Sequence, residues 1–165
     1  MTRIGLLSDT HSFLDPKVFN YFENCDEVWH AGDLGTIDIV DQLNHFKKSR
    51  IVFGNIDGHV IRATVNETEV FQIEEHKILM THIAGKFGSY NSNVRDLIVK
   101  EKPTILICGH SHLLKVAFDK KYNLLYINPG ACGKNGFHTV RTLIRFAIDG
   151  KEIKNLEVIE LHPRY

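Results

Sequence analysis

Five short segments carry residue types that bind metal ions, and each closes a hydrophobic run. They are Asp9-Thr10-His11, Gly32-Asp33, Gly54-Asn55-Ile56-Asp57, Thr81-His82 and Gly109-His110-Ser111-His112. Carboxylate, imidazole and amide donors suit divalent transition metals. Asp9 and His11, two residues apart, project the same way if the backbone is extended, so both can reach one cation. His110 and His112 repeat that spacing and can serve neighbouring ions. Asp33 follows a glycine that permits tight turning, and its two carboxylate oxygens can bridge two ions. Asn55 adds a neutral carbonyl oxygen, and His82 an imidazole. Seven such groups suit a pair of ions about 3.5–4 Å apart, the arrangement that clamps attacking and leaving oxygens in phosphoryl displacement.

The runs before these segments read as buried strands: Ile4–Leu7, Val28–His30, Ile51–Phe53, Ile78–Met80 and Ile105–Cys108. In an α/β sheet the carboxyl ends of the strands meet at one crevice, so ligands spread over a hundred positions can converge. Between the strands, Asp15 caps a helix running from Pro16 to about Asn24, with Val18, Phe19 and Phe22 at helical spacing. Thr36 caps a second helix with Ile37, Val40 and Leu43 on one face. Glu69–Ile73 and Lys77–Thr81 form a hairpin around residues 74–76. Ser92 or Asn93 caps a helix bearing Val94, Leu97 and Ile98, which stops before Pro103. The last third differs: Leu113–Phe118, Leu124–Asn128, Thr139–Ile148 and Ile153–Leu161 read as strands joined by turns. Alternating strands and helices followed by a run of strands predict two sheets packed face to face, with helices outside.

The 165 residues suit one domain over 1–165. Twenty basic and twenty acidic residues cancel, which removes any bulk electrostatic case for nucleic-acid binding. No stretch is apolar enough to span a bilayer, and Met1-Thr2-Arg3-Ile4 runs directly into a strand, so no membrane association and a cytoplasmic location are expected. Cys25, Cys108 and Cys132 are widely spaced and read as buried thiols.

Taken together and in this order, the five segments resemble the motifs of the calcineurin-like metallophosphoesterases: D-x-H, G-D-x-x, G-N-H-[DE], H and G-H-x-H. The likeness runs from Ile4 to His112. The Asn128-Pro129-Gly130 turn resembles a recurrent feature of the small bacterial and archaeal phosphodiesterase branch, which the chain length also fits. The resemblance implies a four-layer α/β/β/α sandwich of two mixed sheets with flanking helices, as in metallo-dependent phosphatases. It implies a first metal held by Asp9, His11, Asp33 and His112, and a second by Asp33, Asn55, His82 and His110. Asp33 would bridge them together with a hydroxide, the nucleophile for in-line attack on phosphorus, and Asn55 would also contact the phosphate. The mixed donors suit Mn²⁺, with Fe, Zn, Ni or Co as alternatives.

Two positions depart from the pattern. The histidine of G-N-H-[DE], often cast as proton donor to the leaving group, is Ile56, and the residues after His82 are Ile83-Ala84 where a second histidine is usual. Asp57 is retained and is expected to orient its neighbours. The expected activity is phosphodiester hydrolysis of a small phosphoester. The alternative is a scaffold of this fold with little or no turnover, for which an exposed apolar patch on a sheet edge or the helices would be the mark. A homo-oligomer follows from the resemblance alone. Among the other histidines, His30 reads either as a donor to a site carboxylate or as a packed strand-end residue. His59 reads as a surface-loop residue, with reaching the leaving group in place of the missing histidine as the alternative, and His45, His76 and His162 read as solvated. His138 lies in a glycine-rich stretch that could approach the crevice or another subunit.

Overall fold

Side chains along the strand Thr2–Leu7 alternate between two apolar surroundings, because successive residues of a strand point to opposite faces. Ile4 and Leu6 enter one core and Leu7 another, so this strand is buried on both faces. The computed structural model describes residues 1–161 and repeats this layout through two five-stranded sheets. In chain order the strands are β1 (Thr2–Leu7), β2 (Glu27–His30), β3 (Lys48–Ile51), β4 (Thr68–Ile73), β5 (His76–Thr81), β6 (Gly85–Lys86), β7 (Ser89–Tyr90), β8 (Ile105–Ile107), β9 (Lys115–Asp119), β10 (Leu124–Asn128), β11 (Arg141–Asp149) and β12 (Glu152–Leu161). The helices are α1 (Lys17–Tyr21), α2 (Ile37–Phe46), α3 (His59–Thr64) and α4 (Ser92–Glu101).

The first sheet has the order β12-β11-β1-β2-β3 and the second β4-β5-β8-β10-β9; β6 and β7 form a small separate ribbon. Both sheets are mixed. The strands β1, β2 and β3 run parallel, as do β5, β8 and β10, and the outer pairings are antiparallel. Three apolar layers hold them. Between the sheets lie residues such as Ile4, Trp29, Met80, Ile107 and Phe146. Trp29 packs edge-on against Phe71 and Phe146, with ring centroids 5.1 and 5.8 Å away. Val18, Phe22, Val40 and Leu43 of α1, α2 and their flanks cover the outside of the first sheet. Val94 and Ile98 of α4 cover Leu79 and Leu106 of the second. The result is the expected four-layer α/β/β/α sandwich. Gly5 lets α1 close on β1, since a Cβ there would come within 2.5 Å of the Phe22 ring.

Several element ends differ from the sequence expectation. β3 starts at Lys48, where Lys48 and Arg50 pair with Glu27 across the sheet at 2.9 and 2.8 Å. It stops at Ile51, and Phe53 N then donates to Asn66 O at 3.0 Å. α1 ends at Tyr21 and has Pro16 at its N-cap position, while Asp15 Oδ1 accepts from Lys17 N at 2.9 Å. Asn91, rather than Ser92 or Asn93, caps α4, its side chain accepting from Val94 N at 3.0 Å. β9 begins at Lys115 and β11 at Arg141, each two residues later than expected. α3 was not expected, because its six residues are too few to show a period. Arg62, inside α3, ties the helix back to Asp57 O at 2.6 Å.

The three cysteines are free and buried, and burial pushes the Cys108 and Cys132 thiols up to about 12. No helix among the described residues is long and apolar enough to cross a membrane.

Candidate metal centre

The five segments leave β1, β2, β5 and β8, and the loop past β3, at their carboxyl ends, and the structure brings them together. Two groups of potential ligand atoms form, each within 4.8 Å: Asp9, His11 and His112, and Asp33, His82 and His110. Asp33 Oδ2 lies between them, 3.3 Å from His11 Nε2 and 3.2 Å from His82 Nε2. Asp9 Oδ1 lies 3.2 Å from His112 Nε2 and 3.8 Å from both His11 and His82 Nε2. Asn55, exposed at the rim, has its Oδ1 3.0 Å from His110 Nδ1. His110 and His112 thus serve separate groups.

The way these side chains converge differs from the sequence expectation. Asp9 and His11 are not extended; their φ values are 54° and 45°. Asp33, His110 and His112 share the left-handed region at 58°, 71° and 60°. Such backbone is uncommon outside glycine and tends to gather at functional sites. Interlocking hydrogen bonds hold it here. Asp9 N donates to Gly32 O and His11 N to Asp33 O, both at 3.0 Å, and Gly109 N donates to His82 O at 3.0 Å. Gly32 has a φ of 99°, and a Cβ on it would come within 2.6 Å of His82 Nδ1, so two constraints require glycine there.

Neighbouring groups orient the ligands. His82 Nδ1 donates to Ala31 O at 2.7 Å, which leaves Nε2 with its lone pair toward the carboxylates. Ser8 Oγ and His110 N donate to Asp9 Oδ2 at 2.6 and 3.1 Å, leaving Oδ1 toward the histidines. Ile56, the residue in the usual histidine position, donates its backbone N–H to Asp33 Oδ1 at 3.1 Å. Among the buried polar atoms without a hydrogen-bond partner are Asp9 Oδ1, His11 Nε2 and His82 Nε2. Buried polar atoms are ordinarily satisfied. Orphaned ligand atoms of both carboxylate and imidazole, facing one another, fit a site for divalent cations.

The charges point the same way. Burial raises the Asp9 and Asp33 carboxyls, but the adjacent imidazoles outweigh it and hold both below the usual carboxylate range. The close carboxylates of Asp33 and Asp9, 3.3 and 3.8 Å from its Nε2, lift His11 to about 9. Burial lowers His82, and the same two carboxylates more than reverse that. Without a cation, these two carboxylates favour the protonated forms of His11 and His82.

Asp57 is buried, and both its oxygens accept backbone N–H groups: Gly54 at 2.7 Å, Leu34 at 3.2 Å and Gly35 at 2.9 Å. It ties the Asn55 loop to the Asp33 turn. Asp57→Ala leaves these donors without their acceptor and should cost about 3 kcal/mol. Thermal unfolding would register this as a fall in Tm of roughly 6–12 °C, whereas a change of a degree or two would mean the loop is held by other contacts.

His30 does not reach a carboxylate. Its Nδ1 accepts from Gly32 N at 3.1 Å, so its Nε2–H faces Thr10 Oγ1 at 3.0 Å. His59 is exposed but heads α3 rather than a loop. His45 is exposed, as expected; His76 is half-buried, with Thr104 Oγ1 at 2.8 Å and Lys151 O at 3.0 Å, and His162 lies outside the described residues. The glycine-rich stretch approaches the crevice. Gly133 N donates to Asp9 O at 3.0 Å, the Asn135 amide lies 3.3 Å from His11 Nδ1, and the His138 ring sits 5.2 Å from that of His112. Buried Asn128 donates to Gly109 O at 2.9 Å and Ser111 Oγ at 3.1 Å, bracing the turn that carries both histidines. Nothing in the spacing of Ser8 or Asn135 announces these contacts.

Comparison with known proteins gives the architecture a lineage. A relative from Methanocaldococcus jannaschii named "probable metallophosphoesterase" is 31% identical over 134 residues, covering 78% of this chain and 67% of that one. A solved structure described as a novel archaeal phosphodiesterase superposes with a TM-score of 0.74 at 24% identity, over 96% of this chain and 99% of that one. Vps29 of Entamoeba histolytica, complexed with Zn²⁺, superposes with a TM-score of 0.73 at 20% identity, over 96% of this chain and 98% of that one. At those identities the two structures speak for the fold. The profile of the calcineurin-like phosphoesterase superfamily domain matches residues 2–151. Because that match runs through every strand-end segment and the strands that carry them, the chain belongs to the calcineurin-like phosphoesterase superfamily.

Proposed function

We propose that this chain is a metal-dependent phosphodiesterase acting on a small phosphoester through a dinuclear centre. The observation that carries the reading is the pair of ligand groups sharing Asp33, with orphaned donor atoms turned toward one another. In this assignment Asp9, His11, Asp33 and His112 hold one divalent ion, and Asp33, Asn55, His82 and His110 the other. Mn²⁺ suits the mixed donors, with Fe, Zn, Ni or Co as alternatives. Two bound cations would supply Lewis-acid chemistry, lowering the pKa of water and neutralising charge on the phosphoryl oxygens. The chain's own residues position that chemistry. Asp33 draws the two groups together, and the Ala31 carbonyl keeps His82 in the tautomer with Nε2 free. Asn55, exposed and beside His110, can offer its amide N–H groups to a phosphate oxygen. Asp57 fixes the loop that bears Asn55.

Ile56 cannot donate a proton, so water or another group must protonate the leaving alcohol. General-acid help is worth about 10²–10⁴-fold, and its lack at this position favours diesters with good leaving groups over monoesters with poor ones. The activity named for the archaeal structural neighbour supports the same choice. Protein stripped with chelator and reloaded with Mn²⁺ should hydrolyse bis-p-nitrophenyl phosphate. Absence of turnover with each of Mn²⁺, Ni²⁺, Co²⁺ and Zn²⁺ would overturn the enzyme reading.

One observation favours a second reading, a protein-interaction scaffold. The edge strand β9 exposes Val116 and Phe118, next to exposed Leu114, and β12 exposes Val158. The pairings Phe118 with Leu125 and Val158 with Ile144 put these side chains on the inter-sheet faces, where the sandwich opens at its edge. A partner, or a second copy of the chain, would cover that apolar surface. The same activity assay separates the readings.

A further inference from the structure

A cleft of about 520 Å³ opens beside His110. It runs from the loop after β5 to the turn after β8 and on to β9 and β10. Ile83, Phe87, Leu113 and Tyr126 give it apolar walls, and Lys86 and Lys115 give it positive charge. No carboxylate among the described residues lines it. The Phe87 and Tyr126 rings meet edge to face, with centroids 5.2 Å apart, and Lys115 Nζ sits 4.6 Å from the Phe87 centroid. Leu113 is nonetheless 69% exposed, an apolar side chain left on water at the mouth of a cleft.

Three properties narrow the occupant. The cleft is within the range of about 300–1,000 Å³ that takes a small organic ligand rather than a polymer. It begins at His110, so a phosphoryl group held at the metal-ligand cluster would project one ester substituent into it. Its walls are apolar and partly aromatic, while two ammonium groups without a lining carboxylate lack a countercharge inside the cleft. Apolar walls favour a planar ring, and lysines without acidic partners favour an anion.

Resting on the diesterase reading above, we infer that this cleft binds one ester substituent of the substrate, and that this substituent carries a planar ring and a second anionic group, as in a nucleotide-derived phosphodiester. The ring lies along Ile83, Phe87, Leu113 and Tyr126. The second anion lies between Lys86 and Lys115.

The test compares ethyl p-nitrophenyl phosphate, thymidine 5′-(p-nitrophenyl phosphate) and the latter compound bearing a 3′-phosphate, on Mn²⁺-loaded protein. Each addition should raise kcat/KM by about tenfold, the size of one apolar contact surface and then one charge-assisted contact. In a Lys86→Ala/Lys115→Ala double variant the ratio between the last two substrates should collapse toward unity, and Lys86→Ala/Lys115→Arg should keep part of it. A second readout needs no metal. Thymidine 3′,5′-bisphosphate should bind the metal-free protein in isothermal titration calorimetry, and the double variant should weaken Kd by about tenfold. Equal kcat/KM for the three diesters with no calorimetric binding, while bis-p-nitrophenyl phosphate is still turned over, would overturn the inference and leave the diesterase reading standing. Calorimetric binding that depends on the two lysines, with no diester hydrolysed under any metal, would support the cleft's ligand class and sink the diesterase reading.

Discussion

Asp33→Ala should lose at least about 10³-fold in kcat toward bis-p-nitrophenyl phosphate and lose divalent-ion binding with it. The size of the effect follows from position. Asp33 Oδ2 comes within 3.3 Å of a histidine of each ligand group, at 3.3 and 3.2 Å, whereas Asp9 Oδ1 stays 3.8 Å from His82. Removing the Asp33 carboxylate would take a negative charge from between the two proposed ion positions, where two cations would repel without a shared ligand. The other oxygen also holds Ile56 N, and thereby the Asn55 loop. Asp33→Asn separates charge from shape: it keeps an oxygen for Ile56 N and should still lose most of the metal and most of the turnover. Kinetics paired with metal analysis on both variants checks this. Wild-type metal content with activity within tenfold of wild type would mean that Asp33 does not bridge.

The second large effect is on folding, and it comes from His30. Burial lowers its pKa to about 4; the carboxylates of Asp9 and Asp57 pull upward and offset this only in part. Its Nδ1 must stay deprotonated to accept from Gly32 N, the residue just before Asp33. A buried neutral histidine protonates more readily once unfolded, at the ordinary value of about 6.5. Its contribution is therefore fully present above pH 6.5 and is lost as the pH falls toward 4. The loss should reach about 2 kcal/mol by pH 5 and roughly 3 kcal/mol below pH 4. Urea unfolding in chelator, at pH 7.5, 6 and 5, should show it. His30→Asn offers an acceptor to Gly32 N but cannot titrate. It should be less stable at pH 7.5 and flatter by about one proton between pH 7.5 and 5. Parallel curves for the two proteins would refute this role.

These two residues show what the sequence makes legible. Asp33 stands out because a carboxylate after glycine closes a strand-like run, and the residues that meet it also sit at strand ends. The both-face burial of β1, β5 and β8 is readable as uninterrupted apolar runs, from which two covered sheets follow. His30 could be placed at a strand end, but its partner could not. Thr10 lies in a different segment, and only folding sets its hydroxyl against the ring. The left-handed turns at Asp9, His11, Asp33, His110 and His112 were hidden for a related reason. No glycine marks these positions; hydrogen bonds between segments far apart in sequence impose the conformation. Asn135, 124 residues from the histidine it approaches, is the extreme case. α3 was lost to its length, and its anchor, Arg62 on the Asp57 carbonyl, has no periodic signature.

On the proposed reading, the five strand-end segments hold two divalent ions at one centre. The most direct measurement is the metal content of protein reloaded with Mn²⁺ and freed of unbound ion, read by inductively coupled plasma mass spectrometry. Wild-type protein should retain close to two equivalents per chain. Retention of no more than one equivalent, under conditions where the protein is folded, would contradict this reading.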